Sequence, residues 1–120
     1  MDRSALLDYA LGRYGAEPEY LWDNLPDAYV LRHQNNRKWF AVGMAVPREK
    51  MGLSGEGSVE VLDLKCGPLL GGSYVGRPGI LPAYHMNKEH WISLLLDGSA
   101  DDGDIKELLE ISYDLTKGKK

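Results

Sequence analysis

The sequence predicts an α+β domain: a mostly antiparallel sheet with N- and C-terminal helices packed on one face. Helical spacing of apolar residues appears near both ends of the chain, from Ser4 to Tyr14 and from Asp101 to Lys117. Between them lie short runs rich in Val, Tyr, Trp and Phe, separated by Gly, Pro and Asn, which is the pattern of strands and turns. At 120 residues the chain is one domain. Folding at this size buries roughly two-thirds of the unfolded surface, enough for a core without metal or disulfide.

The first helix follows from Leu6, Leu7, Ala10, Leu11 and Tyr14 at three- and four-residue intervals, with Ser4 as N-cap and Gly15 as stop. Ala16 to Pro26 is a connection with two prolines. Ala28 to His33 and Lys38 to Val46 read as a β-hairpin around the polar turn Gln34-Asn35-Asn36-Arg37, Pro47 to Gly57 as a glycine-rich loop, and Ser58 to Lys65 as a third strand. Cys66 to Gly79 is rich in Gly and Pro and is expected outside the main sheet, with at most a helical turn at Pro68-Leu69-Leu70 before Gly71-Gly72. His90 to Asp97 is an apolar run too short for a buried helix and reads as a strand. The closing helix carries the stripe Ile105, Leu108, Leu109, Ser112 and Leu115, acids in its first turn, and Lys117, Lys119 and Lys120 at its end. Two helices cover one sheet face and leave the other partly open, which is where a functional surface is expected.

Charge is unevenly spread. The net charge of -4 divides into -4 for Met1 to Ala28, +3 for Tyr29 to Ile92 and -3 for Ser93 to Lys120, and the middle block also holds His33, His85 and His90. The acidic total works against indiscriminate phosphate-driven binding of nucleic acid but leaves room for a local anion-binding face. A single cysteine, Cys66, excludes an internal disulfide. No apolar run reaches the roughly 18 residues of a membrane span, and the N-terminus lacks a signal-like apolar stretch, so the expectation is a cytoplasmic protein without a membrane role.

The densest cluster of chemically capable residues is Pro82 to Trp91, with two histidines, a lysine, an amide and two aromatics. His85 and His90, five apart, share neither a helix face nor a strand face, so no metal site is expected. Cys66 has no nucleophile elbow around it, and at a strand end it reads as a small buried hydrophobe rather than a catalytic thiolate. The glycines from Gly71 to Gly76 lack the spacing of a phosphate loop. Basic and aromatic residues interleave in Arg32-His33, Arg37-Lys38-Trp39-Phe40, Lys65, Arg77 and Tyr84 to Trp91, which suits phosphate contacts beside stacking rings. The same pattern is ordinary on a half-exposed sheet, where Tyr84 and Trp91 pack, His85, Asn87 and Lys88 form a solvated turn, and one of Trp39 and Phe40 is core.

Lys38-Trp39-Phe40-Ala41, Leu62-Asp63-Leu64-Lys65-Cys66, Pro82-Ala83-Tyr84-His85-Met86-Asn87-Lys88, His90-Trp91-Ile92-Ser93, Leu96-Asp97-Gly98 and Ser112-Tyr113, in that order, resemble the MmcQ/YjbR family across nearly the whole chain. The resemblance implies a CyaY-like α+β fold, described as a double wing, and a DNA-binding role inferred from that shape. Frataxin-like proteins of the same fold bind iron on an acidic helix, but Asp2 and Asp8 are too sparse for such a ridge, and fold alone does not carry function. The expected protein is non-enzymatic and without cofactor, and binds DNA weakly and salt-dependently. Arg32, Arg37, Lys38, Lys65, Arg77 and Lys88 are its expected phosphate contacts, with His85, Asn87 and His90 as polar neighbours. The alternative is a protein- or small-ligand-binding domain of the same fold, with Tyr84 and Trp91 lining a groove.

Overall fold

The computed structural model describes residues 1–67 and 72–118. Helix α1 (Arg3–Tyr14) leads into β1 (Tyr29–Arg32) and β2 (Trp39–Pro47). After a 3-10 turn (Arg48–Met51) come β3 (Ser58–Lys65), β4 (Ile80–Pro82), β5 (Trp91–Leu95) and helix α2 (Asp102–Thr116). The strands form one antiparallel sheet in the order β1-β2-β3-β5-β4. The α+β architecture with a helix at each end is therefore as expected. The expected turn at Pro68-Leu69-Leu70, Gly71, and the terminal Lys119 and Lys120 lie outside the described residues.

Local details depart from the expected boundaries. Asp2 rather than Ser4 caps α1, its carboxylate accepting from the Ala5 N–H at 2.9 Å. Gly15 ends the helix in the left-handed region, φ 67°, with its N–H on the Leu11 carbonyl. The buried face of α2 is Ile105, Leu108, Leu109, Ser112 and Thr116, while Leu115 is half-exposed. From Ser112 the next turn of a 3.6-residue helix returns to the same side at Thr116, so the expected stripe was wrong at its last position. Ile80–Pro82, unassigned in the sequence reading, pairs with β5 as the edge strand, where a proline is tolerated.

One sheet face buries Tyr29, Leu31, Ala41, Leu62, Leu64, Ile80, Ile92 and Leu94 against Leu6 and Ala10 of α1 and Ile105, Leu108 and Leu109 of α2. Gly43 is required here because the Tyr29 ring of the neighbouring strand lies across it, and a Cβ at Gly43 would sit 2.1 Å from Tyr29 Cζ. The other face is less open than expected. Val46, Val59, Val61 and Leu95 form a second apolar cluster that Met51 and Leu53, from the loop after β2, and Tyr84, from the β4–β5 loop, pack against.

A β-bulge shapes the start of β2. Leu31 pairs with Ala41 but Arg32 pairs with Trp39, which leaves Phe40 as the extra residue. Phe40 is fully buried and Trp39 half-buried, resolving which of the two is core. Ser112 of α2 supplies the polar partners that this end of the sheet needs. Its buried Oγ accepts from the Lys65 N–H at 2.9 Å and donates to the Phe40 carbonyl at 2.6 Å, bridging β3 to β2.

Candidate functional site

In an antiparallel sheet each strand ends beside the start of its neighbour, and the register gathers residues remote in sequence. Arg32 ends β1, Arg37 and Lys38 precede β2, Lys65 ends β3, and His85, Asn87, Lys88 and His90 lie in the loop that leads into β5. Eight of the nine expected contact residues thus share one end of the sheet. Arg77, which precedes β4, lies at the opposite end. It pairs with Asp104 at 2.7 Å and its guanidinium lies 4.6 Å from the Tyr74 ring centroid.

The eight are not electrostatically equivalent. Glu19, paired beside β1 through its backbone to Val30, sets its carboxylate 3.3 Å from Arg32 and 3.7 Å from Arg37. The Arg32 side chain is only 16% exposed, so its charge is largely spent on that carboxylate. Lys38, Lys65 and Lys88 have no ion pair among the described residues. They flank two half-buried tryptophans: Trp39, which meets Trp22 edge-on at 5.8 Å, and Trp91, which pairs with Lys65 across the strands. Trp22 was not singled out from the sequence, because nothing local in the Ala16 to Pro26 connection ties it to β2.

The Pro82 to Trp91 segment is held by its own backbone. Asn87 Oδ1 accepts from the Glu89 N–H, and the Asn87 carbonyl accepts from His90 and Trp91, so Asn87 serves as a turn former. The His90 carbonyl accepts from the Cys66 N–H at 2.6 Å, locking the loop to the end of β3. His85 takes a left-handed conformation, φ 65°, and its ring lies 4.0 Å from that of Tyr84. Tyr84 is half-buried and packs on the second apolar cluster.

Beneath this loop sits a carboxyl group with no exposed surface. Asp63, central in β3, lies between Val42 and Ser93 on the neighbouring strands. Its Oδ1 accepts from Ser93 Oγ, which itself accepts from the Tyr84 N–H at 2.9 Å, while Oδ2 is buried without a hydrogen-bond partner among the described residues. Burial pushes its pKa up to about 7, and the Ser93 hydrogen bond offsets only part of that. Cys66 is buried in the main core and burial pushes its thiol pKa up, away from an activated thiolate.

Comparison with known proteins places this geometry in a lineage. A family model described as YjbR matches residues 11–115. The Bacillus subtilis (strain 168) protein YyaQ is 40% identical over 117 residues, covering 98% of this chain and 99% of its own. A Pseudomonas syringae crystal structure is 47% identical with a TM-score of 0.93, covering 97% of this chain and 99% of that one. A Deinococcus radiodurans crystal structure, 23% identical, covers 98% of this chain and 80% of its own with a TM-score of 0.72, a likeness of fold. On the match over most of its length and on these relatives, the chain belongs to the YjbR family.

Proposed function

We propose that this protein is a non-catalytic DNA-binding protein that holds phosphates at the sheet end bearing Lys38, Lys65 and Lys88, with His85 and His90 beside them and Trp39 and Trp91 between. One observation carries the reading: three separate chain segments deliver to the same end lysines that have no ion pair among the described residues, whereas Arg32, Arg37 and Arg77 each have a carboxylate partner. Phosphate contacts fix position rather than sequence, so the binding is weakly selective. A net charge of -4 keeps it weak.

The test is fluorescence anisotropy with a labelled duplex over a series of salt concentrations. Three lysine–phosphate contacts give a slope of about -3 in log affinity against log salt, and Lys38→Ala or Lys88→Ala each flatten it by about one. Arg77→Ala, at the opposite end, leaves the slope unchanged. Absence of binding to duplex and single strand at low salt, or binding indifferent to both lysine substitutions, refutes the proposal.

A further inference from the structure

The loop between β4 and β5 is a lightly held cover over a buried carboxyl. No residue from 84 to 90 is buried. The segment is tied to the sheet near its two ends, by the Tyr84 N–H on Ser93 Oγ at 2.9 Å and by the His90 carbonyl, which accepts from the Cys66 N–H at 2.6 Å. A hollow of about 150 Å3 separates the loop from the 3-10 turn, and Lys50 and Lys88 both line it. Neither lysine has an ion pair among the described residues, so two uncompensated cations share that seam. A segment with so few buried contacts opens more readily than the sheet beneath it.

The carboxyl under the loop is enclosed by the sheet on both sides. Asp63 lies between Val42 of β2 and Ser93 of β5, with Val61 and Lys65 on the same face of β3. Oδ1 takes the proton of Ser93 Oγ, and Oδ2 has no hydrogen-bond partner among the described residues. A carboxylate there needs a donor that the closed fold does not supply, whereas the carboxylic acid carries no charge to solvate. Lifting the Tyr84 end of the loop admits water to Oδ2 without parting β3 from β2 or β5. The charged and titratable groups on the elements around Asp63 are Lys65 of β3, Lys50 of the 3-10 turn, and Tyr84, His85, Lys88, Glu89 and His90 of the loop, while β2, β4 and β5 contain none. None of these sets its proton affinity, which follows from burial, offset in part by the Ser93 hydrogen bond.

We propose that the β4–β5 loop is a strap kept shut by the proton on Asp63: when the carboxyl ionises, the Tyr84 end lifts, water reaches Oδ2, and Lys88 is carried away from the sheet. The strap is closed while the carboxyl is protonated and opens progressively as pH rises toward about 7. For the lysine site this is a regulation, and that consequence rests on the phosphate-binding reading. Opening withdraws Lys88 and bares a carboxylate two residues from Lys65, so phosphate is held more weakly at alkaline pH. The strap itself stands without that reading.

Amide hydrogen exchange of the full chain by NMR, each rate divided by that of an unstructured chain at the same pH, reads the strap directly. Protection of the Tyr84 N–H is expected to fall about tenfold per pH unit between about pH 5 and pH 7 and to level off above. In Asp63→Asn it stays flat. Low urea speeds exchange at Leu62 and Leu64 but not at Tyr84, which marks a local opening rather than unfolding. If Asp63→Asn does not fold, the 13C shift of the Asp63 carboxyl in the native chain takes its place, with a midpoint at the pH where Tyr84 protection levels off. Protection at Tyr84 that ignores pH, falls equally in Asp63→Asn, or drops with urea as the core does overturns the strap, whether or not DNA binds. Duplex affinity, compared at about pH 5.5 and about pH 8, falls further in the native chain than in Asp63→Asn, and equal falls overturn the regulation. A duplex that binds at neither pH refutes the phosphate reading, while the exchange result still decides the strap.

Discussion

Replacing Asp63 with asparagine tests the packing of the loop-covered sheet face through a single proton. The carboxyl has no exposed surface, one oxygen without a partner among the described residues, and a pKa of about 7 against an ordinary 3.8. Between those two values the folded chain binds the proton more tightly than the unfolded one, so the contribution of Asp63 to stability falls as pH rises from about 4 to 7 and is level above. At about 1.4 kcal/mol per pH unit the loss is about 4 kcal/mol in all. Asparagine keeps the shape and the acceptor for Ser93 Oγ but cannot ionise. Asp63→Asn is therefore expected to gain about 4 kcal/mol relative to the native chain between pH 4 and pH 8. Urea unfolding followed by the fluorescence of Trp22, Trp39 and Trp91 measures the gap. The difference between the two proteins is the useful quantity, because His33 acts in the opposite sense. Its lowered pKa makes stability fall as pH drops below the ordinary imidazole value, and this cancels in the comparison. A gap that does not change with pH would mean that Asp63 ionises normally in the fold, and the argument from its burial fails.

Two further substitutions probe backbone and packing. Gly43→Ala drives a methyl group into the Tyr29 ring and is expected to cost about 1 to 3 kcal/mol; the cost shrinks in a Tyr29→Leu background, and additivity of the two in a double-mutant cycle contradicts the steric account. Ser112→Ala removes the bridge between the Lys65 N–H and the Phe40 carbonyl and is expected to cost about 2 to 4 kcal/mol. An unchanged urea midpoint for that variant would show the bulge satisfied by other means.

Much of the architecture was legible in the residues because it rests on local periodicity. Leu6, Ala10, Ile105, Leu108 and Leu109 recur at the spacing of a helix face. The alternation of Val59, Val61 and Asp63 against Leu62 and Leu64 marks a strand, and each of these signals depends only on near neighbours in the chain. The short edge strand Ile80–Pro82 escaped because three residues carry no period, and Leu115 was misplaced because a one-residue error turns a helix by about 100°. The candidate contact residues were identifiable by type, but their grouping was not, since it is set by strand order and register. That pairing brings Lys38, Lys65 and Lys88 to one end, leaves Arg77 at the other, and puts Glu19 against Arg32 and Arg37. A carboxylate chosen from anywhere in the chain decides which cations stay free, and only tertiary structure makes that choice. Asp63 follows the same physics: its alternation in β3 is readable, whereas the loss of water around it required the β4–β5 loop to fold over the sheet, tied by the Tyr84 N–H to Ser93.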